Sequence, residues 1–339
     1  MSDASPGGRL VDGYDLVIFD LDGVVYLVDR PIETAVAAVG RLHAEGKPLA
    51  YATNNASRRA DEVAALLTGM GLAVRPQEVH TSAAAAAELL AHRFPPDSPV
   101  LVVGAEALRT EVRDVGLRPV SRLEDAPVAV VQGYGPKVGW ADLAEAALAV
   151  RAGADWFVTN TDRTLPTARG PVPGNGSLVA AVRTALARDP DVVVGKPEPA
   201  LFTAAARRFG AARPLAVGDR LDTDIEGAVR AGMASLLVLT GVSAPIDLLQ
   251  AAPSARPDFV ASDLGGLFDP ARVARLTADP AGAGWQVVDG GPAVLNGEGS
   301  SLGALAALCA ASWSGVPVDD VEPGSEAARK ALGELGLLR

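Results

Sequence analysis

The chain has 339 residues, 49% of them apolar and 21% charged, and a formal net charge of −11 at pH 7. That length allows two or three domains with a sizeable core, and the acidic balance argues against nucleic acid or an anionic membrane as partner, because phosphate-bearing surfaces are bound by basic ones. The single cysteine, Cys309, excludes an internal disulfide and thiolate metal clusters.

Residues 1–15 are polar and acidic, without the basic and apolar segments of a secretory leader, and no apolar run reaches about 18 residues. A cytoplasmic protein without membrane insertion is expected. The first strong element is the apolar run Val17-Ile18-Phe19, which reads as a strand buried on both faces and ends in Asp20-Leu21-Asp22-Gly23. At the carboxyl end of a strand in an open α/β sheet, two carboxylates one residue apart sit where such folds bind ligands. They repel each other unless a cation or a shared proton intervenes, so the pair suggests Mg²⁺. Gly23 lets the backbone turn sharply after them.

Ile32 to Glu45 has helical periodicity and Gly46 can end it. Pro48 to Ala52 reads as a second strand, ending in Thr53-Asn54-Asn55 before a helix at Arg59–Gly69. A hydroxyl and two amides there can present donors to an anion, or simply cap the helix. From Thr81 an alanine-rich helix opens a further set of alternating units. Strands are expected at Val100–Val103, Val128–Val131 and Trp156–Val158, and helices at Glu106–Val115 and Ala141–Arg151. This set is long enough for a separate α/β insertion. It closes with a loop from Thr159 to Asn175, holding Asn160, Asp162 and Arg163, and a helix at Ser177–Arg188. A loop of this length in a compact domain is more often functional than accidental.

Val192-Val193-Val194 runs into Gly195-Lys196-Pro197-Glu198-Pro199. Lysine occurs only at positions 47, 137, 196 and 330 in a chain whose usual cation is arginine, which singles out Lys196. After a helix at Ala200–Phe209, the strand Pro214–Gly218 ends in acidic residues at 219, 222 and 224, costly on one loop unless cation-bound or solvated. A helix at Ile225–Ala231 and a strand at Ser235–Leu239 follow. Parallel crossovers are expected to bring the four polar strand ends to one edge of one sheet.

Asp-Leu-Asp-Gly at 20–23, Thr-Asn-Asn at 53–55, Gly-Lys-Pro-Glu-Pro at 195–199 and Gly-Asp-Arg-Leu-Asp-Thr-Asp-Ile at 218–225 resemble, in order, the four motifs of the haloacid dehalogenase superfamily. The closest resemblance is to subgroup IIA, phosphatases with a large C2-type α/β cap inserted between the second and third motifs. It implies an α/β fold: a Rossmann-like parallel-sheet core, an inserted α/β cap and a small α+β C-terminal region. The corresponding segments are 12–81 and 190–270 for the core, 82–189 for the cap and 276–339 for the C-terminal region.

The same resemblance implies the chemistry. Asp20 is expected to attack phosphorus, and Asp22 to protonate the leaving oxygen and then activate water. Mg²⁺ is expected on Asp20, the backbone carbonyl of Asp22, Asp219 and Asp224, the last as an outer-shell orienter or water-mediated ligand. Thr53, Asn54, Asn55 and Lys196 are assigned to the phosphoryl group, and Asn160 and Asp162 to the rest of the substrate.

Beyond Pro270 a strand is expected at Trp285–Val288 and helices at Ser301–Trp313 and Ala327–Leu335. Gly297-Glu298-Gly299 at a helix entry invites a dinucleotide or coenzyme A reading against that of a plain turn. Residues 295–300 and 321–337 are similar to the second half of a GNAT-type acetyltransferase. The fragment is too short for a whole catalytic domain, so packing or homo-oligomerisation is its expected role. A large-capped phosphatase with such a tail resembles bacterial glycerol 3-phosphate phosphatases, which makes a small phosphorylated metabolite the expected partner. Phosphoglycolate, nucleoside monophosphates and pyridoxal phosphate are the alternatives within hydrolases, and a non-catalytic phosphate-binding regulator is the alternative outside them.

Overall fold

A computed structural model describes residues 8–28, 30–165, 167, 169–277, 284–318 and 320–338. The start of the acidic N-terminal stretch and the entry to the tail at 278–283 lie outside them. The chain forms two compact units, one running to Leu49 and resuming at Ala211, the other covering Ala50–Gly210.

In the first unit, β1 (Leu16–Phe19) is buried at every position, as expected of a strand covered on both faces. Gly23, at φ +87°, turns the chain into a hairpin of β2 (Tyr26–Leu27) and β3 (Arg30–Pro31). Helix α1 (Glu33–Ala44) buries Ala35, Ala38, Val39 and Leu42, the apolar stripe of a helix packed on one side.

β4 (Leu49–Thr53) leads into the second unit, where α2 (Ala60–Gly69) returns the chain to β5 (Val79–Thr81), parallel to β4 with Ala52 opposite His80. The insertion then runs α3 (Ser82–Arg93), β6 (Pro99–Val103), α4 (Glu106–Asp114), β7 (Arg118–Val120), β8 (Ala129–Gln132), α5 (Trp140–Arg151) and β9 (Asp155–Val158). Next come a two-residue hairpin, β10 (Thr164–Leu165) with β11 (Val172–Pro173), and then α6 (Asn175–Leu186), β12 (Val192–Val193) and α7 (Ala200–Phe209). Its five-stranded sheet is wholly parallel, in the order β12-β9-β8-β6-β7.

Alternation along these strands feeds two cores. Val100, Val102, Val131 and Phe157 pack with Ala86, Leu90, Leu108 and Val112. Leu101, Val103, Val130, Trp156 and Val158 pack with Val150, Val179 and Val182. Such double-sided burial accounts for the continuous apolar runs seen in the sequence.

β12 corrects one expectation. Val192 and Val193 pair with Phe157 and Val158, so the strand before Lys196 belongs to the insertion's sheet rather than to that of β1. Helix α6 is a crossover between parallel neighbours, and a short valine run fits either sheet equally well. Residues 50–81 and 190–210 lie in one compact unit with residues 82–189.

The first unit resumes with β13 (Pro214–Gly218), a π-type turn at Leu221–Ile225, α8 (Glu226–Arg230), β14 (Ala234–Val238), α9 (Pro245–Leu249), β15 (Phe259–Ala261) and β16 (Val273–Arg275). β1, β13, β14 and β15 lie side by side and parallel, and β16 closes the edge antiparallel to β15. The C-terminal region adds β17 (Trp285–Val288), β18 (Ala293–Gly297), α10 (Ser301–Trp313), β19 (Val321–Pro323) and α11 (Glu326–Glu334). It is the expected small α+β element, with strand order β17-β18-β19.

This tail is joined to its unit by one continuous core, in which Leu302, Leu305, Leu308 and Cys309 of α10 pack with Leu237, Leu248, Leu249 and Val260. Ser312 Oγ and Trp313 Nε1 donate to the carbonyls of Leu249 and Leu248 at 2.7 and 3.2 Å. The apolar helix is therefore used for packing within the chain. Burial pushes the Cys309 thiol up to about 12, which leaves it unreactive. Among the described residues no helix is long and apolar enough to cross a membrane.

Candidate active site

Each unit holds one group of the residues singled out in the sequence. In the first, Asp20 follows β1 directly and Asp219 follows β13, and these strands are adjacent and parallel with Phe19 opposite Val217. Carboxylate oxygens of Asp20, Asp219 and Asp224 lie within 4.8 Å of one another, and all three residues are buried.

Three glycines make room for this crowding. A Cβ on Gly23 or Gly241 would overlap the Asp219 carboxylate, and one on Gly218 would overlap Asp224. Asp219 Oδ2 accepts the N–H of Val242 at 2.7 Å, and Asp224 Oδ2 accepts those of Asp219 and Arg220 at 3.2 and 3.1 Å. The π-type turn is what brings Asp224 back onto the start of its own loop, an irregularity frequent at functional sites. Asp222, the third acid of the motif, is exposed and pairs with Arg220 at 2.8 Å, away from the cluster. Asp22 accepts the Tyr26 hydroxyl at 3.2 Å and is not one of the three mutually close carboxylates.

Three buried carboxylates around one point suit a divalent cation. The donors are all hard oxygens, the set preferred by Mg²⁺ or Ca²⁺ over softer metals, and like charges this close are costly without a cation between them.

In the second unit, the group assembles on the Asn54 side chain. Its Oδ1 accepts the Lys196 N–H at 2.8 Å and its Nδ2 donates to the Lys196 carbonyl at 3.0 Å. The same Nδ2 lies 3.2 Å from both oxygens of Asp162. Asn160 Nδ2 donates to the Asn54 carbonyl at 2.7 Å, which also receives the Ser82 hydroxyl. The Lys196 side chain is only 2% exposed, and its ammonium donates to the Ala52 carbonyl at 3.0 Å. Thr53 Oγ1 accepts the Asn55 N–H, while Asn55 Oδ1 accepts the N–H and hydroxyl of Ser57, a local turn that leads into α2. Arg163 contributes its carbonyl to Gly174 N–H and Ser177 Oγ.

The structure thus brings Asp20, Asp219 and Asp224 together, and Asn54, Asn160, Asp162 and Lys196 together. Residues the sequence reading passed over are Tyr26, Thr240, whose hydroxyl donates to the Gly23 carbonyl at 2.5 Å, and Ser82. Gly241 after the strand at 235–239 was a visible signal. Nothing in the sequence pointed to Ser82.

With this geometry in place, comparison with known proteins gives a consistent result. Residues 17–118 match the haloacid dehalogenase-like hydrolase family and residues 193–267 the HAD-hydrolase-like family. Residues 283–337 match the GCN5-related N-acetyltransferase like domain. The chain belongs to the haloacid dehalogenase-like hydrolases and carries a GNAT-like C-terminal region. It is 46% identical to the D-glycerol 3-phosphate phosphatase of Mycobacterium tuberculosis, over 96% of this chain and 95% of that one. It is 41% identical to chronophin of Rattus norvegicus, over 67% of this chain and 77% of the relative. A crystal structure of the glycerol phosphate phosphatase from Mycobacterium tuberculosis in complex with magnesium has a TM-score of 0.90 to this chain at 46% identity, covering 98% of this chain and 100% of the other.

Proposed function

We propose that the protein is a magnesium-dependent phosphomonoesterase that hydrolyses glycerol 3-phosphate to glycerol and phosphate in the cytoplasm. The observation that carries the substrate is the reach of the similarity to the D-glycerol 3-phosphate phosphatase of Mycobacterium tuberculosis, which runs through the tail, whereas that to chronophin covers 67% of the chain. The division into core segments 12–81 and 190–270, cap 82–189 and tail 276–339 is part of this reading.

On this reading the ester is hydrolysed by a two-step displacement. A carboxylate oxygen of Asp20 forms a bond to phosphorus while the ester P–O bond breaks, and Asp22 gives its proton to the departing alkoxide. Water then attacks the aspartyl-phosphate, Asp22 takes the water's proton, and phosphate leaves with the Asp20 carboxylate restored. Asp20, the Asp22 carbonyl, Asp219 and Asp224 would hold Mg²⁺, which when bound neutralises phosphate charge so that a carboxylate can approach. Thr53, Asn55 and Lys196 are assigned to the phosphoryl oxygens, where fixed donors do most of the work of phosphoryl transfer. Asn160 and Asp162 are assigned to the leaving group's side of the site. Buried carboxylates 20, 219 and 224, all within 4.8 Å, support the metal assignment.

Measuring kcat/KM across glycerol 3-phosphate, sugar phosphates, phosphoglycolate, nucleoside monophosphates and pyridoxal phosphate, with Mg²⁺ and with chelator, tests the proposal. Glycerol 3-phosphate should lead the panel and chelator should abolish turnover. Another ester leading by tenfold would overturn the substrate, and activity in chelator would overturn the metal.

A further inference from the structure

Asn54 stands next to the phosphate-binding threonine in sequence, and a phosphate contact is the obvious role for its side chain. Its hydrogen bonds point elsewhere. The amide forms a closed pair with the backbone of Lys196, accepting the N–H at 2.8 Å and donating to the carbonyl at 3.0 Å, as a neighbouring strand would. The remaining donor capacity goes to Asp162, at 3.2 Å from each carboxylate oxygen. An amide nitrogen has two hydrogens, so these acceptors exhaust it.

The pairing is long-range and dry. Asn54 and Lys196 are 142 residues apart in sequence, and their side chains are 8% and 2% exposed. Gly195 has no room for a side chain, because a Cβ there would lie 2.5 Å from Asn54 Oδ1 and from the Thr159 carbonyl. Behind Asn54 a second amide continues the chain of bonds: Asn160 Nδ2 donates to the Asn54 carbonyl at 2.7 Å, and Asn175 Nδ2 to the Asn160 carbonyl at 2.7 Å. Asn175 heads α6, so the row ties the insertion's crossover helix to the residue that carries the lysine.

We propose that the Asn54 side chain is a positioning residue, which fixes the Lys196 backbone and couples it to Asp162 on the insertion's loop, and that it makes no phosphate contact of its own. The coupling rests on the phosphatase reading above. Buried amides in such a row are costly to disturb, because any member left without a partner bears its full desolvation penalty. A displaced lysine loses its alignment with the transferring group, and misplacement by about 1 Å can cost about 100-fold in rate.

The test is a swap. Asn54→Asp keeps the acceptor for the Lys196 N–H, loses both donated bonds and sets one carboxylate against another. Asp162→Asn keeps an acceptor for Asn54. The double variant restores a donor–acceptor pair with the roles reversed. With p-nitrophenyl phosphate and Mg²⁺, Asn54→Asp should lower kcat about 100-fold with KM changed less than about threefold, and Asp162→Asn should lower it less than about fivefold. The double variant should regain about tenfold over Asn54→Asp. Gly195→Ala, which shifts the same pair without altering a polar group and covers the case in which Asn54→Asp does not fold, should lower kcat about tenfold.

A rise in KM at unchanged kcat for Asn54→Asp would mark a phosphate contact and overturn the inference. A double variant no faster than Asn54→Asp, or Gly195→Ala at full activity, would do the same. These results in an enzyme whose wild type is active leave the phosphatase reading standing, whereas a wild type inert towards every phosphomonoester sinks both.

Discussion

The two clusters solve opposite electrostatic problems. The group in the first unit gathers three buried carboxylates and answers their repulsion with main-chain N–H donors and a place for a cation. The second unit gathers buried amides and the Asp162 carboxylate around the backbone of one lysine, linked to one another by hydrogen bonds. Charge concentrated in one place can be balanced by an ion taken from solution. An amide row must be balanced by the chain itself, so it is the more sensitive of the two to backbone register. Glycine serves both, as close approach at Gly23, Gly218 and Gly241 in one and at Gly195 in the other.

The largest effect expected from breaking this contrast is at its charged end. Asp20→Asn keeps the shape and the metal-facing oxygen but removes the attacking carboxylate. Phosphate release should fall about 10⁴-fold or more, as for loss of an attacking group elsewhere, with an unchanged circular dichroism spectrum. Release within tenfold of wild type would remove Asp20 from its role. Next comes the packing that supports the charged cluster from the tail. Leu305 is fully buried in the core shared by α10 and α9, so Leu305→Ala should cost about 2–5 kcal/mol in urea unfolding. If the tail were dispensable to its unit, the cost would be below about 1 kcal/mol.

Gly241→Ala sharpens the comparison more gently. The added methyl overlaps the Asp219 carboxylate without changing any charge. Displacing a metal-ligand carboxylate in this way should raise the Mg²⁺ concentration for half-maximal rate about 10- to 100-fold, read from a magnesium titration or from calorimetry on the protein alone. An unchanged titration would separate the glycine from the metal.

How far each cluster could be read in the sequence follows from how each is built. The carboxylates stand immediately after long apolar strands, and Leu16–Phe19 and Pro214–Gly218 each announce a strand end by an abrupt change from apolar to acidic. Asp22 and Asp222 look equivalent to their neighbours in that pattern, and only the turn geometry sends one to Tyr26 and the other to Arg220. The amide row has no such local signature. Asn54, Asn160 and Asn175 were visible as polar residues at strand and helix ends, but their partners lie up to 142 residues away, beyond any periodicity. The sheet that receives Val192 and Val193 was equally out of reach, as were β10, β11 and β16, whose two or three residues carry too little pattern to register.

The smallest effect concerns pH, and it separates the units again. His80 lies on β5 opposite Ala52, whose carbonyl receives the Lys196 ammonium. Burial, with a lesser contribution from the nearby Arg208 charge, holds the imidazole down at about 4, and its Nε2 has no hydrogen-bond partner among the described residues. The folded protein therefore binds this proton less readily than the unfolded chain, whose histidine titrates near 6.5. Above about pH 6.5 His80 adds no pH dependence to stability, and stability is lost as pH falls from there through about 4, by at most about 3 kcal/mol and less to the extent that water reaches the ring. His80→Leu should flatten that part of the acid limb, narrowing the drop in Tm between pH 7 and pH 5, while the carboxylate cluster, which contains no histidine, is unaffected in its magnesium titration at pH 7. An unaltered drop in Tm would place the acid sensitivity elsewhere. A changed magnesium response would show that the two clusters are not independent.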